Sequence, residues 1–115
     1  NDERIRIANI YLREIRNSKI ILPTMIEGQK HVWHIFAIRC KERDALQKYL
    51  KEKEITTLIH YPIPVHLQKA YSELRFSEGA FPVAEEIART ELSLPLFCGM
   101  TLAQISFTID ALNSF

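Results

Sequence analysis

The sequence lacks most of the local motifs that would assign it to a common functional class. Its three glycines, at positions 28, 79 and 99, stand far apart, so no glycine-rich loop that could bind phosphate is present. Its two cysteines, Cys40 and Cys98, form no C-x-x-C pair, which argues against a zinc site and predicts two buried, reduced thiols. No segment approaches the roughly 18 consecutive apolar residues of a membrane span.

An excess of charge of either sign is also missing. The 115 residues contain 15 Lys and Arg against 14 Asp and Glu, a formal net charge of +1, so neither nucleic acid nor a membrane is expected as a partner. Hydrophobic residues at 47% and charged residues at 25% are typical of a soluble domain with one modest core. The chain begins at Asn1, directly before its first predicted helix, which suggests a piece cut from a longer cytoplasmic protein.

Periodic patterns in the first half of the chain predict alternating helices and strands. Apolar spacings of three and four predict amphipathic helices, and runs of β-branched and aromatic residues predict strands. The predicted helices are 2–16 and 42–53, and the predicted strands are 20–22, 31–39 and 55–59.

The second half is predicted to be mostly helical. We expect a short helix at 67–74, a helix from Pro82 to about Glu91, and a brief extended segment at 92–95. Thr101 and Gln104 form a capping-box pattern that opens a last helix. This order favours an α+β fold in which a small antiparallel or mixed sheet has helices packed on one face.

The segment HYPIPVH, residues 60–66, concentrates residues that could do chemistry, and is called the elbow below. Its two prolines lack N–H donors and stiffen the backbone between a strand and a helix. Four side chains with polar rings surround them: His60, Tyr61, His66 and Tyr71. No carboxylate or thiol lies between the two histidines, so a metal site is not predicted. The four side chains are either ligand contacts or hydrogen-bonded loop residues.

Three segments together resemble a known family. "EITTLIHYPIPVHLQKAY", "FPVAEEIARTELSLPLF" and "MTLAQISFTIDAL" are similar to the C-terminal small domain of the DegT/DnrJ/EryC1/StrS family. That family consists of pyridoxal-phosphate-dependent aminotransferases that act on nucleotide-linked keto-sugars. Its pattern is a GI-x-T strand, an HYP-x-P-x-H elbow, a P-x-AE helix start, an LSLP segment and a closing helix. Glu54 stands here where the family usually has Gly before Ile55.

The resemblance implies that residues 1–115 form a single domain of a longer fold-type I aminotransferase whose large cofactor-binding domain is missing. The whole enzyme would transfer an amino group, usually from glutamate, to a nucleotide-linked keto-sugar, for polysaccharide or secondary-metabolite biosynthesis. Pyridoxal phosphate would belong to the large domain. Lys51, Lys53 and Lys69 lie on predicted helix surfaces and match no aldimine motif, so this chain alone is expected to be inactive and without cofactor.

The resemblance also assigns substrate binding to His60, Tyr61, His66 and Tyr71, with no catalytic residue in this chain. Several of these side chains should then be exposed, and His66→Ala should barely change stability. If they only support the fold, they should be buried and paired. The longer protein is expected to be a homo-oligomer, with self-association of this chain through the first helix or the elbow.

Two other functions remain open from the sequence. One is a regulatory or degenerate relative that keeps this domain and has lost transamination. The other is a non-catalytic α+β module for binding or dimerisation.

Overall fold

The computed structural model describes residues 1–115 and has the predicted α+β architecture. Three strands form one antiparallel sheet in the order β1-β2-β3. The elements are α1 (Asp2–Glu14), β1 (Ile20–Ile21), β2 (Phe36–Cys40), α2 (Arg43–Glu52), two 3-10 helices (Val65–Leu67 and Lys69–Leu74), α3 (Pro82–Thr90), β3 (Glu91–Leu94) and α4 (Leu102–Asn113).

Alternation along the strands separates an apolar face of the sheet from a polar one. The apolar cross-strand pairs are Phe36 with Leu94 and Ile38 with Leu92, and all four side chains belong to the core. Successive residues of a strand point to opposite faces. Glu91 and Ser93 alternate with the two leucines of β3 and therefore lie on the other face, where both are nevertheless buried.

Helices α1, α2 and α4 supply the rest of the core against the apolar face. Their buried side chains include Ile7, Ala8, Tyr11, Leu46, Leu50, Ile105, Ile109 and Leu112. The hydroxyl of Tyr11 donates to the carbonyl of Pro95 at 2.8 Å, and burial raises the pKa of this phenol to about 12. A hydrogen-bonded polar group can therefore sit inside the core without being left unpaired.

Three helices confirm the sequence prediction closely. Helix α2 lies within 42–53, α3 starts at Pro82, and α4 begins with the predicted capping box between Thr101 and Gln104. Helix α1 ends at Glu14, two residues before the predicted end, because Ile15 is already extended.

One predicted strand is shorter than expected and another is wrong. Of 31–39 only residues 36–39 belong to β2, which continues to Cys40, because Trp33 adopts a φ of +51° and turns the chain while stacking on Phe36. Residues 55–59 make only one bridge, between Leu58 and Ser93. β-branched and aromatic residues also pack in loops, so their presence in both segments did not by itself indicate a strand.

Two further expectations are corrected. Residues 67–74 form 3-10 rather than α-helical turns, since Tyr71 has non-helical dihedral angles and no residue of the segment is buried. Cys40 is buried as predicted, whereas Cys98 is exposed in the turn before Gly99. Only one of the two thiols is therefore protected by the core.

Residues 61–84, called the arm below, differ from the rest of the molecule. No residue of the arm is buried. The Cα radius of gyration is 15.6 Å, above the value of about 13 Å expected for a compact domain of this length. The arm thus extends beyond the packed body. None of the helices combines the length and the apolar composition needed to cross a bilayer.

Candidate functional site

His60 lies on the polar face of the sheet, beside β3. The bridge at Leu58 brings the chain alongside Ser93. The backbone N–H of His60 then donates to Oε2 of Glu91 at 2.7 Å, and its Nδ1 lies 2.8 Å from Oγ of Ser93. The hydroxyl of Ser93 donates to Oε1 of Glu91. We call these three hydrogen-bonded residues the Glu91 network.

Glu91 and Ser93 were missed as site residues in the sequence. Within the segment ELSL the two polar residues alternate with two core leucines, and this period of two was a usable signal. It indicates one polar face on an otherwise apolar strand. Their partner lies 31 to 33 residues earlier in the chain, so the contact itself required the fold.

His66 is held by a second buried carboxylate, that of Glu85 in α3. Nε2 of His66 lies 2.8 Å from Oε1 of Glu85. Both carboxylate oxygens of Glu85 also accept the backbone N–H of Gly79 at 2.9 Å, and Phe81 donates at 3.3 Å. Hydrogen bonds from Gly79 and then from His66 lower the pKa of Glu85. This carboxylate therefore ties the elbow, the loop before α3 and α3 itself together.

His66 is not one of the exposed side chains that a substrate-binding role predicts. Its side chain is only 8% exposed and lies against the ring of Phe81, with centroids 4.8 Å apart. His66→Ala should therefore lower stability, contrary to the expectation from the sequence, because the buried Glu85 carboxylate would lose one of its hydrogen-bond donors. Glu85 was also missed, although the P-x-AE segment contained it.

The two tyrosines have the opposite environment. Tyr61 is 69% exposed and Tyr71 is 43% exposed. Neither hydroxyl forms a hydrogen bond within the chain. Both phenols are therefore accessible to a group outside this domain.

A cleft of about 430 Å³ opens beside the Glu91 network. Its polar lining comes from His34, Thr56, His60 and Ser93, and its apolar lining includes Leu58 and Phe97. Of the four side chains predicted to bind substrate, His60 alone lines this cleft. The structure thus does not gather all four into one pocket.

The residues of this chain do not by themselves form a cofactor or metal site. No three His, Cys, Asp or Glu side chains converge as metal ligands. All seven lysines are exposed, so none has the buried amine that is typical of an aldimine-forming lysine. The polar groups of the cleft can instead form hydrogen bonds with a hydroxyl-bearing ligand.

Comparison with known proteins gives the family. The model of the DegT/DnrJ/EryC1/StrS aminotransferase family matches residues 1–113. The chain belongs to this family. The position of Glu54, where the family usually has Gly, has a φ of +61°, a conformation that glycine adopts most readily.

Two curated relatives illustrate the range of the family. dTDP-3-amino-3,6-dideoxy-alpha-D-galactopyranose transaminase of Aneurinibacillus thermoaerophilus is 45% identical over 115 residues, 100% of this chain and 31% of that protein. A pleiotropic regulatory protein of Geobacillus stearothermophilus is 36% identical over 99% of this chain and 32% of its own length. The chain therefore spans about a third of the length of these relatives.

A solved structure confirms the fold. The crystal structure of DesV from S. venezuelae in complex with a ketimine intermediate is 38% identical, with a TM-score of 0.95. The match covers 98% of this chain and 31% of that chain.

Proposed function

We propose that this chain is the C-terminal small domain of a cytoplasmic, pyridoxal-phosphate-dependent aminotransferase that transfers an amino group from glutamate to a nucleotide-linked keto-sugar. The match of the family model over residues 1–113 is the observation on which this rests. The 45% identity to a dTDP-sugar transaminase supports a nucleotide-sugar as the substrate class. The activity belongs to the longer protein, called the parent below.

The cofactor is assigned to the part of the parent outside this chain. Solved structures with this fold include forms with bound PMP and PLP. The exposure of every lysine here supports an aldimine lysine in the part of the parent outside this chain. We accordingly expect the 115-residue chain alone to be inactive.

Substrate contacts are proposed for His60, Tyr61, His66 and Tyr71, by three different routes. His60 acts from the wall of the cleft. Tyr61 and Tyr71 act through exposed phenols on the arm. Glu85 already binds Nε2 of His66, so that histidine can reach a ligand only through Nδ1. A nucleotide-sugar has hydroxyls that can donate to the free imidazole nitrogens, and hydroxyl and diphosphate oxygens that can accept from the phenols.

The arm is proposed to pack against the rest of a homo-oligomeric parent. Its exposed large apolar side chains include Tyr61, Ile63, Val65, Tyr71, Leu74, Phe76, Phe81 and Val83. Such a concentration of apolar surface is typical of an interface. Helix α1, the other surface considered for association, exposes no large apolar side chain.

A regulatory relative is the second candidate function. The name of the Geobacillus stearothermophilus relative is the observation that favours it. Such a protein would keep the fold and the arm and lack transamination.

Kinetics of the parent test the proposal. His60→Ala should lower kcat/KM for a dTDP-linked keto-sugar by about tenfold, the loss expected for one substrate hydrogen bond. The visible spectrum of the bound cofactor should not change. Lys51→Ala, an exposed change on α2, is the control and should leave kcat/KM unaltered. A wild-type parent that binds the nucleotide-sugar and shows no transamination would favour the regulatory function.

A further inference from the structure

The Glu91 network determines which ring nitrogen of His60 holds the proton. Oγ of Ser93 has a single hydrogen, which it donates to Oε1 of Glu91. Toward Nδ1 of His60, 2.8 Å away, the same oxygen can therefore only accept. Nδ1 must then be the protonated nitrogen, and in the neutral ring Nε2 has the free lone pair.

Both carboxylate oxygens of Glu91 act as hydrogen-bond acceptors in this network. Oε2 of Glu91 accepts the backbone N–H of His60 at 2.7 Å, while Oε1 accepts the hydroxyl of Ser93. Glu91 and Ser93 are both buried. The backbone and the ring of His60 are thus bound to the same carboxylate, directly and through Ser93, which restrains the direction of the ring.

The other ring nitrogen is left available. Nε2 of His60 has no hydrogen-bond partner in the chain, and it is not among the buried polar atoms without a partner. Solvent therefore reaches it. His60 lines the 430 Å³ cleft together with Thr56 and His34.

We propose that Glu91 and Ser93 are positioning residues that hold His60 as the Nδ1–H tautomer, so that Nε2 accepts a hydrogen bond from a hydroxyl of a sugar in the cleft. The sugar rests on the proposed function, whereas the tautomer follows from the network alone. Neutral His60 then favours a ligand that presents a hydrogen-bond donor to Nε2.

Nitrogen-15 NMR of the histidine-labelled 115-residue chain, at a pH where His60 is neutral, measures the tautomer directly. The wild type should show Nδ1 protonated. Glu91→Gln should invert this preference. The glutamine oxygen would still accept the backbone N–H of His60, but its NH2 would donate to Ser93, whose hydroxyl would then donate to Nδ1.

Serine variants provide the second measurement if Glu91→Gln does not fold. Ser93→Ala should remove the preference for Nδ1–H, and Ser93→Thr should retain it by keeping the hydroxyl. Thr56→Ala removes a hydroxyl from the same cleft outside the network and should leave the tautomer unchanged. A wild type with Nε2 protonated, or a folded Glu91→Gln or Ser93→Ala variant with the wild-type tautomer, would overturn the positioning role.

Kinetics of the parent separate this inference from the proposed function. Ser93→Ala should raise KM for the nucleotide-sugar several-fold, with Ser93→Thr close to wild type. A changed tautomer with an unchanged KM would support the positioning role and contradict the placement of the sugar in this cleft. An unchanged tautomer would contradict the positioning role whatever the kinetics show.

Discussion

The arm and the body of this domain reach their structures by different interactions. The body contains all 26 buried residues, among them the apolar core between the sheet and helices α1, α2 and α4. The arm, residues 61–84, contains none. It is instead held by hydrogen bonds to two buried carboxylates: His60, just before the arm, binds Glu91, and His66, within it, binds Glu85.

The difference shows how a segment can be ordered without a core of its own. Apolar burial is non-directional and stabilises the body as a whole. Hydrogen bonds to a buried carboxylate are directional and orient particular side chains. The arm therefore keeps a defined path although its large apolar side chains are exposed.

Matched leucine substitutions should show the contrast at its largest. Leu46 is fully buried in the core, and Leu74 on the arm is 56% exposed. Leu46→Ala should lower the free energy of unfolding by about 2–5 kcal/mol, because it leaves a cavity. Leu74→Ala should change it by less than about 0.5 kcal/mol. Urea unfolding of both variants measures the difference, and equal losses would mean that the arm packs as tightly as the body.

Acid should release the arm before it unfolds the body. The pKa of Glu85 is lowered in the folded chain, so the native state favours the ionised carboxylate. The resulting stabilisation is present above the ordinary value of 4.5 and is lost as pH falls through the lowered pKa. His66 is the titratable group in contact with this carboxylate, and Glu78 and Arg89 line the same pocket.

Amide exchange of Gly79 reports this release. Protection of that N–H should fall below about pH 4.5 in the wild type, while core amides of α4 keep theirs. In Glu85→Gln the protection should be weaker at neutral pH and independent of pH over the same range. Protection that falls together in Gly79 and α4 would show that arm and body open as one unit.

A modest gain in stability is expected from a change at Glu54, in the link between α2 and the arm. Its φ of +61° is unfavourable for a residue with a Cβ. Glu54→Gly should therefore raise the free energy of unfolding by about 0.5–1 kcal/mol. Lys53→Gly, at a φ of −93°, is the matched control and should give no gain. Thermal unfolding compares the two, and a loss at Glu54→Gly would indicate a contact of its side chain.

The helices and the family were predictable because their signals are local. The capping box of α4 spans four residues, and Pro82 specifies the start of α3 by itself. Strands were less predictable, since Trp33 and Ile55 are buried without belonging to a paired strand. An apolar run indicates burial and leaves the backbone conformation open.

The sequence by itself determined the four α-helices, the proline-containing elbow, the four polar rings in and after it, and the family pattern. Only the tertiary structure decided how these rings differ: two exposed phenols, a histidine on Glu85 and a histidine on the Glu91 network. The partners are 19 and 31 residues away in sequence. Hydrogen bonds require donor and acceptor atoms within about 3 Å, and for such distant residues only the packed chain provides that proximity.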